Sequence, residues 1–590
     1  MIDFMKSFFK NVLANIVAIV ILCVVFFFFF IMMLVFSAMG SDKSVTVKKN
    51  SVLTINLKTN IIDSPTEEEG SLFNISDQNK GVLIYDAIEA INKAKTDDNI
   101  KGISIEADEL FAGITQIDDL RNAIEDFKKS GKFVYAYGNG VSQSAYYLGS
   151  VADKYYLNPS GMIELKGLAT EVAFFKDFAD KYGIGIQVIR HGKFKSAVEP
   201  FLRNDISPEN KEQLSTLLND IWKNTSTRMA VSRKIDTAQF RTVVDSLYGM
   251  IPELGLKYKL ADKLIQKTEY DELIKSKLSL KEDEKISKIS LGKYIDSYSD
   301  DEKSGDKVAV LYASGSINGG DKYNDIHSEK YIKYIKDLQE NDKVKAVVFR
   351  INSPGGSANA SDEILFELQQ LKKKKPLIVS FGDYAASGGY YIAMAADKIY
   401  SEPNTLTGSI GVFGVIPYYK EIANKNGVRS DIVSTNANSQ YYSALNGVTP
   451  YGVSLITRSV EGTYKRFVYF VTQNRKQTFD QIDNVGGGRV WSGTRAKQIG
   501  LVDELGTLND AVKFAAQKAG LKSSYSVASY PKRMTPFEQI FKDLNEDDIS
   551  ARMIKNKIGK ANYEILQQVV EERKLQSEVK MEMPYQIKIN

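Results

Sequence analysis

Ile378-Val-Ser-Phe-Gly-Asp-Tyr-Ala-Ala-Ser387-Gly-Gly-Tyr-Tyr-Ile-Ala-Met-Ala-Ala396 is the stretch around which the chain is organised. A β-rich run from Leu377 to Phe381 passes through a glycine turn into a helix-compatible segment, with Ser387 at the junction. There a hydroxyl can stand clear of the backbone, beside the free N–H groups of a new helix turn. The small neighbours Ala385, Ala386, Gly388 and Gly389 leave room for a substrate chain. An ordinary serine N-cap would use the same residues, so the rest of the chain decides between the two.

Just upstream lies Arg350-Ile-Asn-Ser-Pro-Gly-Gly-Ser357, at the end of a buried-looking strand. Paired glycines let the backbone turn tightly and approach a ligand closely. The N–H groups so presented are what an acyl-transfer enzyme needs to hold a developing oxyanion. A lone Pro-Gly-Gly is usually a turn. Followed by a glycine-flanked serine, it favours the catalytic reading.

The 590 residues allow several domains, and 43% hydrophobic with 25% charged residues is ordinary globular composition. A net charge of +4 is too small to imply nucleic acid. Cys23 is the single cysteine, which excludes an intrachain disulfide framework and a thiolate metal cluster. Nothing resembles a ligand cluster, so no metal or cofactor is called for. Ile16 to Phe36 carries no polar side chain, and no charge occurs between Lys10 and Asp42. At about 1.5 Å per residue this run crosses a bilayer core of roughly 30 Å. It is longer than the apolar region of a cleaved signal peptide, and residues 1–40 read as a retained single-pass anchor. Lys6 and Lys10 precede the span, which places the N-terminus inside and the bulk of the chain outside.

The remainder is a repeat. Tyr146-Tyr147 recurs as Tyr390-Tyr391, Ala152-Asp-Lys-Tyr-Tyr156 as Ala396-Asp-Lys-Ile-Tyr400, and Pro159 as Pro403, each 244 positions on. Phe174 to Lys181 matches Tyr418 to Lys425 at the same offset, whereas Val52 to Leu57 matches Val308 to Ala313 at offset 256. The first copy therefore holds about twelve extra residues, expected in the polar Ser64–Lys80 loop. Two copies follow, 45–275 and 305–525, with 276–304 a linker and 526–590 a polar extension, helical from Phe537 to Lys574. Within each copy β-rich runs alternate with helical patterns, an α/β fold of stacked βαβ units with parallel strands.

A serine nucleophile needs a base, and the chain has two histidines. His327 falls in a polar loop, Gly319 to Ser328, where a solvated side chain is expected. His191 sits beside Gly192-Lys193-Phe-Lys195-Ser-Ala-Val-Glu-Pro200 and leaves a Ser–His–Asp triad open. The rival base is a lysine made neutral by burial, and physics alone does not choose one among 77 basic residues.

The chain resembles the signal peptide peptidase A (protease IV) family in its long, tandem-repeat bacterial form. The matching pieces are Lys193 to Phe201, Asn352-Ser-Pro-Gly-Gly356, Ala386-Ser-Gly-Gly389, Leu406-Thr-Gly-Ser-Ile-Gly411 and Gly500-Leu-Val-Asp-Glu504. The resemblance implies a Ser–Lys protease built from two tandem crotonase/Clp-like domains behind a transmembrane helix. It implies Ser387 as nucleophile, Lys195 as general base, Ser409 orienting that lysine, and the N–H groups of Gly356 and Gly388 as oxyanion hole. It further implies a homotetramer at the bacterial inner membrane, degrading signal peptides outside it, with sites formed across neighbouring subunits. At offset 244, Ser387 falls on Gln143, Gly355 and Gly356 on Phe111 and Ala112, and Lys195 near Ser439. Neither copy holds a full set; together they hold one. The rivals are a crotonase-fold acyl-CoA enzyme and an inactive membrane scaffold.

Overall fold

The computed structural model describes residues 2–39, 45–56, 60–65, 81–281, 283–298, 305–321, 325–522, 525–531 and 580–583. Residues 66–80 of the Ser64–Lys80 loop expected to hold the insertion, and the helical reading of Phe537–Lys574, lie outside these residues.

Each copy is a largely parallel sheet with helices on its faces, the second also holding Val490–Ser492 antiparallel to Leu406–Gly408. In the first copy the strands run in the order Lys263–Leu264, Lys154–Ile163, Phe133–Val141, Ile100–Glu106, Ser51–Asn56, Lys288–Ser290, all parallel. In the second the central strands are Leu406–Gly408, Leu377–Ala386, Val344–Ser353 and Lys307–Ser314, with Lys398–Ser401 beside Leu377–Ala386. The sequence offsets are visible in the strands themselves. Ile100, Phe133 and Lys154 open strands 244 positions before Val344, Leu377 and Lys398, while Ser51 opens one 256 before Lys307.

Val344 to Arg350 is buried at every residue except Lys345. A run of Val and Phe without alternation suits a strand covered on both faces. One face is covered by helix Ala358–Lys374, which buries Ile364, Leu365, Leu368 and Leu371, one side of a 3.6-residue repeat. The Ser357 hydroxyl caps its N-terminus, and Lys372, Lys373 and Lys374 close it, where cations oppose the helix dipole. The other face packs against helix Leu508–Lys518 through Leu508, Ala511, Val512 and Ala515.

Two segments differ from the expected boundaries. Residues 288–290, expected in the linker, pair with Val52–Thr54 as an edge strand of the first sheet, and helix Leu291–Asp296 follows. Ser526–Tyr530, expected in the extension, pairs with Lys307–Leu311 at the matching edge of the second. Strand pairing between distant segments leaves no local periodicity, so these short runs read as polar connectors. His327 also departs from expectation. It is 7% exposed, in the short strand Ile326–His327, and its Nδ1 lies 2.8 Å from the Gly319 carbonyl. Pairing of Ile326–His327 with Ile317–Asn318 brings the ring to that carbonyl.

A further sheet joins the copies. Gly185–His191 of the first pairs antiparallel with Val412–Tyr418 of the second over seven residues, from Val412 opposite His191 to Tyr418 opposite Gly185. Helix Pro208–Arg233 crosses the same seam, where Leu214, Leu217 and Ile221 pack on Ala386, Leu406 and Val490. Buried polar pairs line the seam. Arg350 of the second copy lies 2.7 Å from Asp63 of the first, and Asn404 donates to Asp118 at 2.6 Å.

Asp119 and Glu402 face each other across this seam, 0% and 2% exposed. Burial pushes the Asp119 carboxyl up to about 7, and burial plus Asp119 pushes Glu402 well above the usual range. Both carboxyls thus hold their protons more tightly than exposed ones do. A carboxyl whose folded pKa is raised binds protons more tightly folded than unfolded. The destabilisation it causes is absent below the unfolded value of about 3.9 and grows as pH rises through about 7. Asp119→Asn is expected to raise the melting temperature by about 2 °C or more at pH 8 and by less than half that at pH 5. Equal shifts at both pH values would contradict this.

The N-terminus is a single helix, Ile2–Met39. Its window Lys10–Phe27 has a mean hydropathy of 2.4 and is exposed along its length, long and apolar enough to cross a membrane.

Candidate active site

Ser387 follows the last residue of strand Leu377–Ala386 and precedes helix Gly388–Ile392. Its backbone sits at φ 55°, ψ −116°, a region that non-glycine residues occupy only when their surroundings impose it. The surroundings here are two hydrogen bonds: its N–H donates to the Gly408 carbonyl at 2.8 Å, and its carbonyl accepts from the Tyr391 N–H at 2.8 Å. The side chain makes no capping bond. The strained turn aims the hydroxyl away from the helix, where Oγ accepts from the Lys195 Nζ at 2.8 Å.

Lys195 arrives from the other copy. It lies just beyond strand Gly185–His191, so the seven-residue pairing with Val412–Tyr418 carries it to the serine. Its backbone is held by Arg190, which donates to the Lys195 carbonyl at 3.2 Å, and by the neighbouring Phe194 N–H on the Gly487 carbonyl at 3.1 Å. Glu199, in the same motif, accepts from the Ser207 hydroxyl at 2.5 Å and the Asn210 amide at 3.1 Å. That ties the lysine's turn to the start of helix Pro208–Arg233. Lys195 Nζ also reaches the Ser409 Oγ at 3.0 Å and the Ser409 carbonyl at 3.3 Å. Lys195, Ser387 and Ser409 are each fully buried.

The other expected residues converge on the same point. Gly355 and Gly356 have φ of 106° and 155°. A Cβ on Gly356 would strike the backbone of Ile317, and one on Gly388 would lie 3.2 Å from the Gly356 nitrogen. The two glycines thus lie side by side next to Ser387. In the first copy Gln143 holds the serine's place. It is buried, and its carbonyl accepts from the Lys166 and Gly167 N–H groups at 3.1 and 2.8 Å, closing that position. Phe111 and Ser439 are exposed.

His191 stacks on Tyr464 with ring centroids 3.8 Å apart, and the nitrogen against Ser387 is that of Lys195. Here Lys195 and Ser387 meet within one chain, through the pairing of Gly185–His191 with Val412–Tyr418. Sequence reading passed over Gly486-Gly487-Gly488. Gly488 has φ 84°, and a Cβ there would lie 2.6 Å from the Lys195 Cβ. The run lets the backbone wrap the lysine; three consecutive glycines before Arg489 were the available signal.

Comparison with known proteins fits this geometry. The sequence pattern of peptidase family S49 matches residues 126–281 and 369–522, and that of Clp protease matches 299–407. Protease 4 of Salmonella typhi is 35% identical over 501 residues, 82% of this chain and 80% of that protein. Protease 4 of Haemophilus influenzae is 32% identical over 83% of each chain. The chloroplastic serine protease SPPA of Arabidopsis thaliana is 33% identical over 80% of this chain and 70% of that protein. With its two tandem domains and Clp-protease-like fold, the chain belongs to peptidase family S49 and is a serine protease.

Proposed function

We propose that Ser387 and Lys195 form a nucleophile–base dyad that hydrolyses short, apolar, extended peptides, released signal peptides among them, as a membrane-anchored endopeptidase. The observation that carries this reading is the 2.8 Å bond between Lys195 Nζ and Ser387 Oγ, with Ser409 Oγ 3.0 Å from the same nitrogen. An amine takes a proton only while neutral, and exclusion from water favours the neutral form. The lysine then accepts the serine proton as Oγ attacks the scissile carbonyl carbon. The oxyanion gathers on the N–H groups of Gly356 and Gly388. The C–N bond breaks as Lys195 returns the proton to the leaving amine, and water repeats the sequence on the acyl-enzyme. Ser409 is a positioning residue that fixes the Nζ direction.

In this reading residues 45–275 supply the base and 305–525 the nucleophile. Helix Ile2–Met39 holds the chain in the bacterial inner membrane with the catalytic part outside, and four chains assemble. The exposed apolar side chains of Val428, Ile432 and Val433, the last 101% exposed, offer assembly contacts.

A mixing experiment tests the dyad and its closure within one chain. Ser387→Ala and Lys195→Ala proteins, unfolded together and co-refolded, are expected to show no more turnover of a fluorogenic peptide than either alone. Pull-down verifies that the two co-assemble. Recovery toward a quarter of wild-type activity would mean that base and nucleophile meet between chains.

A further inference from the structure

The glycine run Gly486–Gly488 hangs from one tyrosine. Helix Pro450–Arg475 buries Val460, Tyr464, Phe467, Val468 and Val471 along one face, the spacing of a 3.6-residue repeat. Tyr464 is 1% exposed, and its hydroxyl donates to the Asp483 carboxylate. The same oxygen accepts from the Gly487 N–H at 3.4 Å, and a Cβ on Gly486 would lie 3.0 Å from it. The phenol thus uses both its donor and its acceptor capacity to fix the run.

From there the run reaches both Lys195 and Ser409. The Gly487 carbonyl accepts from the N–H of Phe194, next to Lys195 in the chain, at 3.1 Å. A Cβ on Gly488 would strike the Lys195 backbone nitrogen at 2.6 Å. The Gly488 N–H donates to the Ile410 carbonyl at 2.7 Å, and its carbonyl accepts from the Ser409 hydroxyl at 3.4 Å. The Arg489 carbonyl accepts from the Ser409 N–H at 2.7 Å. The first copy keeps the helix and drops this device. Helix Pro208–Arg233 is the counterpart, 242 positions earlier (450 − 208), and the next helices open at Thr237 and Phe479 with the same offset (479 − 237). At that offset Tyr464 falls on Trp222, Asp483 on Arg241, and the three glycines on Val244, Asp245 and Ser246. The helix therefore folds without the hydroxyl, the carboxylate or the glycines, and only the copy with the nucleophile has them.

We propose that Tyr464 and Asp483 are positioning residues for the base, holding Gly486–Gly488 closed over Lys195 so that its amine stays aligned with Ser387 and shielded from water. The proposal rests on the Ser387–Lys195 reading. An amine shielded from water favours its neutral form, and only that form takes the serine proton. Without the Tyr464 hydroxyl the run loosens, water reaches the amine, and the charged form gains. The acid limb of kcat/KM, which reports the base of the free enzyme, then moves to higher pH. The other charged or titratable groups around this turn are Arg190, bonded to the Lys195 carbonyl, His191, stacked on Tyr464, and Arg489, paired with Glu212. All three stay in the variants below. By charge alone, removing the Asp483 carboxylate would lower the pKa of a nearby ammonium. Loss of position and loss of charge therefore move the limb in opposite directions.

The test is the pH profile of kcat/KM for a fluorogenic peptide, with the melting temperature, on the full-length chain in detergent. Tyr464→Phe keeps the ring and its stacking on His191. It is expected to move the acid limb up by about one pH unit, a ~10-fold loss of kcat/KM along that limb, with KM unchanged. Asp483→Ala is expected to move the limb the same way, against the sign of its charge. Val471→Ala lies on the same buried face two turns further along, and is expected to lower the melting temperature without moving the limb. A Tyr464→Phe profile with the wild-type limb and kcat/KM within about twofold of wild type would overturn the proposal and leave the dyad standing. A limb moved to lower pH in Asp483→Ala, or moved equally in Val471→Ala, would overturn it too. A Lys195→Ala protein that keeps wild-type turnover would remove the dyad, and the proposal with it.

Discussion

Ser387→Ala is expected to lower kcat/KM for peptide hydrolysis by about a thousandfold or more, the loss typical of removing a serine nucleophile, with the melting temperature unchanged. The substitution removes one buried oxygen. It leaves the Gly408 and Tyr391 hydrogen bonds that hold the turn, since both are to the backbone. Alanine also meets the φ of 55° with no greater steric demand than serine. Lys195 keeps the Ser409 hydroxyl and carbonyl as partners. Activity and fold therefore separate, and residual turnover above roughly one part in a thousand from a folded protein would remove Ser387 from the nucleophile's role.

Lys195→Ala is expected to lose a comparable factor, and Lys195→Arg as well. The guanidinium stays protonated and cannot accept the serine's proton, so charge and approximate length do not restore function. His191→Ala should stay within about tenfold of wild type, because that ring packs on Tyr464 while the lysine nitrogen holds the serine. Loss of the stacked pair costs about 1 kcal/mol, so a modest fall in melting temperature without loss of turnover is the signature of a structural histidine. The opposite ranking, His191→Ala inert and Lys195→Ala active, would restore a Ser–His mechanism.

The repeat was legible because it is local twice over. The strands opening at Ile100, Phe133 and Lys154 recur 244 positions later because each βαβ unit keeps its own length, whatever the other copy does. The loss of Ser387's counterpart to Gln143 was likewise readable from the offset alone. Lys195 was not: what makes it the partner of Ser387 is the pairing of Gly185–His191 with Val412–Tyr418, a contact across more than two hundred residues with no trace in composition or period. Only the resemblance of Lys193–Phe201 to a known motif singled it out. The same limit hid the edge strands at Lys288–Ser290 and Ser526–Tyr530 and the strand Lys580–Glu582. Each is short, sits among polar residues, and is ordered by a distant partner. His327 was misread for a related reason, since a polar loop that folds back on itself can bury a ring as its sequence neighbours do not foretell.

The central claim is that one chain, from its two copies, assembles a serine activated by a lysine. The most direct measurement is labelling by a serine-directed fluorophosphonate, with the adduct located by peptide mass mapping in wild type, Lys195→Ala and His191→Ala. The account predicts one adduct per chain, on Ser387, in wild type and His191→Ala, and little or none in Lys195→Ala. An adduct on another serine, or labelling of Ser387 that survives loss of Lys195 and fails with loss of His191, would contradict it.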